Sequence, residues 1–178
     1  DAILLDIMLP GIDGIAFCQK VRKSLYCPII FISCFDDDET IVRAMGMGGD
    51  DYLVKPFSCS VLQAHLEANI RRSRMLRPSA QPLQADDITL DPVTHAVTKR
   101  NVEVVLSLTE YSILHYMMQR SGEFLPFEKL YENVWGVPGC GDLRTLFTHV
   151  TNLRKKIEDN PKNPAHIITY QRSGYIVH

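Results

Sequence analysis

Two domains of different class are predicted along this chain: an open parallel α/β sheet first, then a smaller α+β unit of strands, three helices and a closing hairpin. Residues 1–70 alternate short, wholly apolar runs with helical patterns, as strands buried on both faces do. Residues 87–178 instead run short strands, three helices, then two strands about a Ser173-Gly174 turn. Charge divides the same way. Residues 1–70 hold ten acids and five bases, a net of −5, whereas residues 143–178 hold six bases and two acids, a net of +4.

The 178 residues suffice for two small cores, and 46% of them are hydrophobic. Charged residues at 22%, with 19 Lys+Arg against 21 Asp+Glu, exclude a disordered polyelectrolyte and a collagen-like chain. No run approaches the ~18 apolar residues of a membrane helix, so no membrane partner is expected. No basic stretch, apolar run and cleavage site marks an export signal. The five cysteines (Cys18, Cys27, Cys34, Cys59, Cys140) are odd in number and never spaced C-x-x-C. They read as reduced thiols of a cytoplasmic protein, with neither a disulfide framework nor a zinc site. The chain opens at Asp1, without Met, inside a strand-like run. The expectation is a piece of a longer protein.

Residues 2–6 (AILLD), 28–33 (PIIFIS) and 51–55 (DYLVK) are predicted strands, too short and too uniformly apolar for helices. Helical spacing covers 14–24, 38–47 and 58–76. In the last, Val61, Leu62, His65, Leu66, Asn69 and Ile70 share roughly one stripe. That helix closes in Arg71, Arg72, Arg74 and Arg77, which suits the negative end of its dipole, and Pro78, Ser79, Gln81 and Pro82 follow as a linker. The domain limits are therefore set at 1–77 and 84–178, with 78–83 between them.

Three strands end in side chains that suit one chemistry. In a parallel sheet, ligands bind at the carboxyl ends of strands. Here the first strand ends in Asp6, the second in Ser33 and the third in Lys55. A carboxylate nucleophile, a hydroxyl that can hydrogen-bond a phosphoryl oxygen, and an ammonium that neutralises charge form a set fit to receive a phosphoryl group. Asp13, past the Pro10-Gly11 turn, reads instead as the cap of the next helix.

The segments LLDIMLPGIDG, PIIFIS and GGDDYLVKPF together resemble the receiver domain of two-component response regulators, over residues 1 to about 70. The resemblance implies a flavodoxin-like parallel sheet lacking its first strand, first helix and second strand. It makes Asp6 the phosphoacceptor, Ser33 and Tyr52 the switch pair, Lys55 the partner lysine, and Pro56 a cis proline. It also implies magnesium held by Asp6 and the Met8 carbonyl, with the remaining acidic ligands absent from this sequence. Cys34 stands where a small Ala is usual.

In the second domain, 87–91, 95–99 and 102–107 are predicted antiparallel strands. The helix at 108–122 has Thr109 as its N-cap and Gly122 as its stop, the helix at 126–136 ends on Gly136, and the helix at 142–160 is capped by Asp142. With the hairpin at 166–178, this order describes a winged helix-turn-helix. On the third helix, Leu146, Val150, Leu153 and Ile157 make the buried stripe. Arg144, Thr145, Thr148, His149, Thr151, Asn152, Arg154 and Lys155 are expected to face outward, in the pattern that reads a major groove.

DLRTLFTHVTNLRKKIE and ITYQRSGYIV resemble the OmpR/PhoB-type DNA-binding domain, over about residues 84–178. The resemblance places Trp135, Arg144 and His149 at DNA-backbone positions and Thr151, Asn152 and Arg154 on the groove face, with Arg172 opening a wing into the minor groove. Ser173 replaces a frequent Gly, and Phe147 an often polar residue. It further implies a homodimer face bearing Arg43, Asp50, Asp51, Glu67 and Arg71. The expected function is a DNA-binding transcriptional response regulator, not an enzyme, activated by aspartyl phosphorylation and dimerisation. Its expected partners are double-stranded DNA, a sensor histidine kinase, a second copy and RNA polymerase. The alternative is a phosphorylation-independent DNA-binding or protein-interaction module with a defective receiver.

Overall fold

The computed structural model describes residues 1–178 except 23, 26, 76–80 and 137–142 and the side chains of 74 and 75. The chain divides into two units, Asp1–Met75 and Leu76–His178. The side chain of Arg74, the linker residues Arg77, Pro78 and Ser79, and the expected cap Asp142 lie outside the described residues.

In the first unit, β1 (Ile3–Asp6), β4 (Ile29–Ser33) and β5 (Asp51–Val54) form a parallel sheet in the order β1-β4-β5, with Leu5 opposite Phe31 and Phe31 opposite Tyr52. Ile29, Ile30 and Phe31 are fully buried, which explains why the central strand is apolar without alternation. A short hairpin, β2 (Met8–Leu9) with β3 (Ile12–Asp13), turns the chain into α1 (Gly14–Val21). Asp13 caps that helix by accepting from the Ile15 N–H at 2.9 Å, as expected. Asp37 likewise caps α2 (Asp38–Gly46) through the Thr40 N–H.

The helix α3 (Cys59–Met75) departs from its apolar stripe. Val61 is exposed, Asn69 and Arg72 are buried, and among the described residues no α3 side chain joins the buried cluster of Leu5, Ile7, Ile15, Cys18, Ile29, Phe31 and Ala44. Polar contacts hold it instead. Asp51 Oδ2, on β5, lies 2.7 Å from both His65 Nδ1 and Asn69 Nδ2.

The second unit opens with an antiparallel sheet of β6 (Leu83–Ala85), β7 (Ile88–Leu90), β8 (Val97–Lys99) and β9 (Val102–Glu103). Leu83, placed in the linker by composition, pairs with Leu90. The expected strand at 102–107 stops at Glu103. Val104 still donates to the Val97 carbonyl, but Ser107 is already the cap of α4 (Leu108–Met118).

Ser107, not Thr109, caps α4. Its Oγ accepts from the Glu110 N–H, and Glu110 Oε2 accepts from the Ser107 N–H at 2.8 Å, a reciprocal arrangement that Thr109 with Ser112 three residues on has no carboxylate to form. The helix ends at Gln119, and Gly122 forms a turn beyond it at φ +80°. The helix α5 (Phe127–Trp135) ends on left-handed Gly136 as expected.

The helix α6 (Leu143–Ile157) crosses the unit's core, where Leu146, Val150, Leu153 and Ile157 meet Ile113, Leu114, Met117 and Leu130. The closing hairpin, β11 (Ile167–Tyr170) and β12 (Gly174–Val177), gains a third strand, β10 (Leu125–Pro126). Gly174 lies so close to the Leu125 carbonyl that a Cβ there would collide with it, so the tight joint requires glycine.

Candidate functional site

Asp6 and Lys55 meet across the end of β4. Lys55 Nζ lies 2.5 Å from Asp6 Oδ2, and Asp6 Oδ1 accepts from the Met8 N–H at 2.9 Å. The Lys55 hydrogen bond is the main cause holding the Asp6 carboxyl below its ordinary range, with the Met8 N–H adding to it. The same hydrogen bond raises the Lys55 ammonium. Both side chains remain partly open to solvent. Gly14 permits the geometry, because a Cβ there would collide with the Asp6 carbonyl.

Ser33 stands at the adjacent strand end but is buried, and its Oγ accepts from the Phe35 N–H at 3.1 Å. The Tyr52 hydroxyl donates to the Phe35 carbonyl at 2.9 Å. Ser33 and Tyr52 are thus tied to one backbone residue. The Lys55–Pro56 peptide is cis.

Receiver domains as a class bind magnesium. Here Asp6 is already engaged by Lys55 and the Met8 N–H, and the Ile7 carbonyl accepts from the Gly14 N–H. Among the described residues no cluster of three acidic, His or Cys side chains gathers at Asp6, which falls short of a six-oxygen shell. Elsewhere Asp86, Asp87 and His166 bring ligand atoms within 4.8 Å of one another. Asp87 is already engaged on both oxygens, however: Arg100 Nε lies 2.6 Å from Oδ2 and His166 Nε2 3.2 Å from Oδ1, which fits a polar strap between the sheet and the residue before β11.

The acidic pair at 50–51 does not form the expected outward face. Asp50 is fully buried, 2.6 Å from Arg22 Nη2, and it accepts from the Ile29 N–H as well. Arg22 also donates to the carbonyls of Gly48, Leu25 and Cys27. Asp50 and Arg22 together fasten the α1–β4 loop to the α2–β5 loop and to the start of β4, and Asp50 is withdrawn from any surface. Asp51 is mostly buried against His65 and Asn69. Arg43, Glu67 and Arg71 are exposed. The sequence reading missed Arg22, His65 and Asn69. The one available signal was two polar groups, His65 and Asn69, standing in an otherwise apolar stripe.

On α6 the outward face is narrower than the sequence reading made it. Arg144, Phe147, Thr151 and Lys155 are exposed, and Thr145, Thr148 and Arg154 are intermediate. His149 and Asn152 are buried, because the helix packs against both α5 and α4 and a single stripe does not cover that arc. Trp135 is buried too, stacked on Tyr131 at 4.6 Å and lying 6.0 Å from His149. These placements correct the expectation that Trp135, His149 and Asn152 stand open to DNA. Arg154 donates to the Ile167 carbonyl and to Thr169 Oγ1, and so braces the hairpin. Arg172 is exposed at the hairpin tip, where Gln171 and Arg172 have φ of +49° and +55°.

Two family models match the chain. One described as response regulator receiver domain covers residues 1–67, and one described as transcriptional regulatory protein, C terminal, covers residues 101–177. The chain belongs to the OmpR/PhoB family of response regulators. It is similar to the response regulator DrrB of Thermotoga maritima, an OmpR/PhoB homologue, at 27% identity and a TM-score of 0.51, over 99% of this chain and 78% of that one. The DNA-binding domain of Klebsiella pneumoniae RstA, solved in complex with the RstA box, is 28% identical with a TM-score of 0.51, over 55% of this chain and 96% of its own. A cysteine-to-serine variant of RitR shares the fold, with a TM-score of 0.84 at 22% identity, over 100% of this chain and 79% of that one. This OmpR/PhoB-family chain is thus a response regulator with a DNA-binding domain, and its families are regulatory, not enzymatic. Among the described residues no helix is long and apolar enough to cross a membrane.

Proposed function

We propose that this regulator is switched by phosphorylation of Asp6 and binds double-stranded DNA through α6 and the hairpin. The Asp6–Lys55 contact carries the reading. A carboxylate kept ionised is a competent nucleophile, and the ammonium beside it is placed to neutralise phosphoryl oxygens. The Asp6 oxygen attacks the phosphorus of a sensor kinase's phosphohistidine. The P–N bond breaks, and its electron pair leaves with the imidazole, which takes up a proton. Ser33 and Tyr52 support a switch, since a hydroxyl drawn toward a phosphoryl group must release the Phe35 N–H while Tyr52 still holds the Phe35 carbonyl.

For DNA, the outward groups Arg144, Thr148, Thr151 and Lys155, with Arg172 at the tip, supply phosphate and base contacts. A homodimer would join through exposed Arg43, Glu67 and Arg71 without Asp50. The phosphorylation-independent reading draws on one observation: the lone Asp6 carboxylate is already neutralised by Lys55, an arrangement complete without phosphate. Labelling with a small radioactive phosphodonor separates the two. Asp6→Ala is expected to abolish hydroxylamine-labile label, and Asp13→Ala, which alters a helix cap and an exposed contact with Arg43, to retain it. Absence of label on the unmodified chain, with DNA binding intact, selects the independent module.

A further inference from the structure

Along the outward side of α6, Arg144, Thr148, Thr151 and Lys155 carry hydrogen-bonding groups and Phe147 carries none. Residues 144, 147, 151 and 155 are spaced 3, 4 and 4 apart, one continuous row, and Phe147 stands inside it. The ring is 36% exposed. Isolated exposed apolar side chains are ordinary on protein surfaces, so exposure alone assigns nothing.

Position and support do more. Phe147 meets Phe127, at the start of α5, edge-on at 5.0 Å, and Phe127 meets Tyr175, on β12, at 4.9 Å. Arg154 reaches over the same Tyr175 ring, 5.4 Å from its centroid. The ring therefore rests on an aromatic base built from two other elements, which favours one placement of it before any ligand arrives. It also lies in the N-terminal half of α6, the part of a reading helix that approaches base edges.

We propose that Phe147 is a specificity-determining residue that selects a 5-methylpyrimidine, thymine in ordinary DNA, at one position of the half-site. The proposal rests on the DNA-binding reading of α6. The major-groove edges of the base pairs offer acceptors, amino donors and a single apolar group, the thymine methyl. A ring without donor or acceptor strips water from a cytosine amino group or a guanine oxygen and returns no hydrogen bond. Against the methyl it buries apolar surface on both partners. Thr151 and Arg144 stand exposed on the same row, on the side that would meet adjacent bases or phosphates.

The test uses the full chain and a duplex recovered by selection from random DNA. Each thymine is replaced in turn by deoxyuridine, which removes only the methyl group and leaves the protein unaltered. One position is expected to weaken binding about fourfold, the change that corresponds to burying one methyl-sized group. Cytosine at that position is expected to bind weakly, and 5-methylcytosine to recover part of the loss. In Phe147→Ala the uridine effect is expected to vanish. A selected site with a normal salt dependence but no methyl-sensitive thymine overturns the proposal and leaves DNA binding by α6 standing. Absence of any duplex binding overturns both.

Discussion

In the unit Leu76–His178, buried apolar side chains from the first sheet, all three helices and the hairpin join one cluster, running from Ala85 through Ile113 and Leu153 to Val177. In Asp1–Met75 the corresponding cluster has seven buried members among the described residues. There the periphery is closed by directed contacts: Arg22 with Asp50, and Asp51 with His65 and Asn69. Apolar burial is additive and forgiving, because each neighbour takes up part of a loss. A buried ion pair is not forgiving, because removing one partner strands the other. The regulatory unit thus depends on few contacts of high consequence, and the DNA-binding unit on many of lesser consequence.

Trp135, the single tryptophan, lies in the second unit and lets the two be followed separately. The largest expected effect is from Asp50→Ala, which leaves the Arg22 guanidinium buried without its carboxylate. It is expected to destabilise the first unit by about 3–5 kcal/mol. In urea unfolding, the far-ultraviolet signal should show an earlier transition while the Trp135 fluorescence midpoint holds. If both midpoints shift together, the units do not unfold independently and the contrast fails.

A core truncation is the converse experiment. Leu130→Ala, at a fully buried position, is expected to lower the Trp135 fluorescence midpoint by an amount equivalent to about 2–5 kcal/mol. It should leave phosphodonor labelling of Asp6 unchanged. Loss of labelling would show that the units are coupled through more than the chain.

The smallest expected effect is in pH, where the two units should respond with opposite sign. The Asp51 hydrogen bond holds His65 above its ordinary value against the opposing effect of burial. That contribution is whole below about pH 6.5 and is lost as pH rises through the raised folded value. Burial pushes His95 and His115 down, and for His115 the charges of His95 and Arg120 add to it. The second unit is therefore most stable above about pH 6.5 and weakens as pH falls toward the lowered folded values. Between pH 8 and pH 5.5 the separation between the two midpoints should change monotonically. His65→Gln should remove the first unit's share of that change.

Much of the architecture was legible because it follows from period and punctuation. The uniformly apolar runs marked β1, β4 and β5, and Gly136 marked the end of α5. Asp6 and Lys55 were legible as a pair because strand ends in a parallel sheet share one edge. Other features depend on packing that a periodic pattern does not encode. Asp50 and Asp51 are adjacent acids, yet one pairs with Arg22, 28 residues away, and the other with α3. His149 and Asn152 are polar residues on a helix buried over a wider arc than one stripe. The two-residue strand β10 is too short to leave any periodic signal. Ser107 was recoverable: Ser-x-x-Glu over 107–110 is a stronger N-terminal signature than Thr109 alone.

Glu110 reaches further than its cap. The buried carboxylate that accepts from Ser107 also lies 2.6 Å from Lys156 Nζ, so the start of α4 and the last turn of α6 are bolted to one group. On the proposed DNA-binding reading, α6 is thereby aimed from its far end, by residues other than those offered to the groove. That contact involves none of the outward side chains at 144, 148, 151 and 155. Such a division favours evolvability: a lineage can rewrite those outward letters and acquire a new operator while the frame that presents them keeps its bearing.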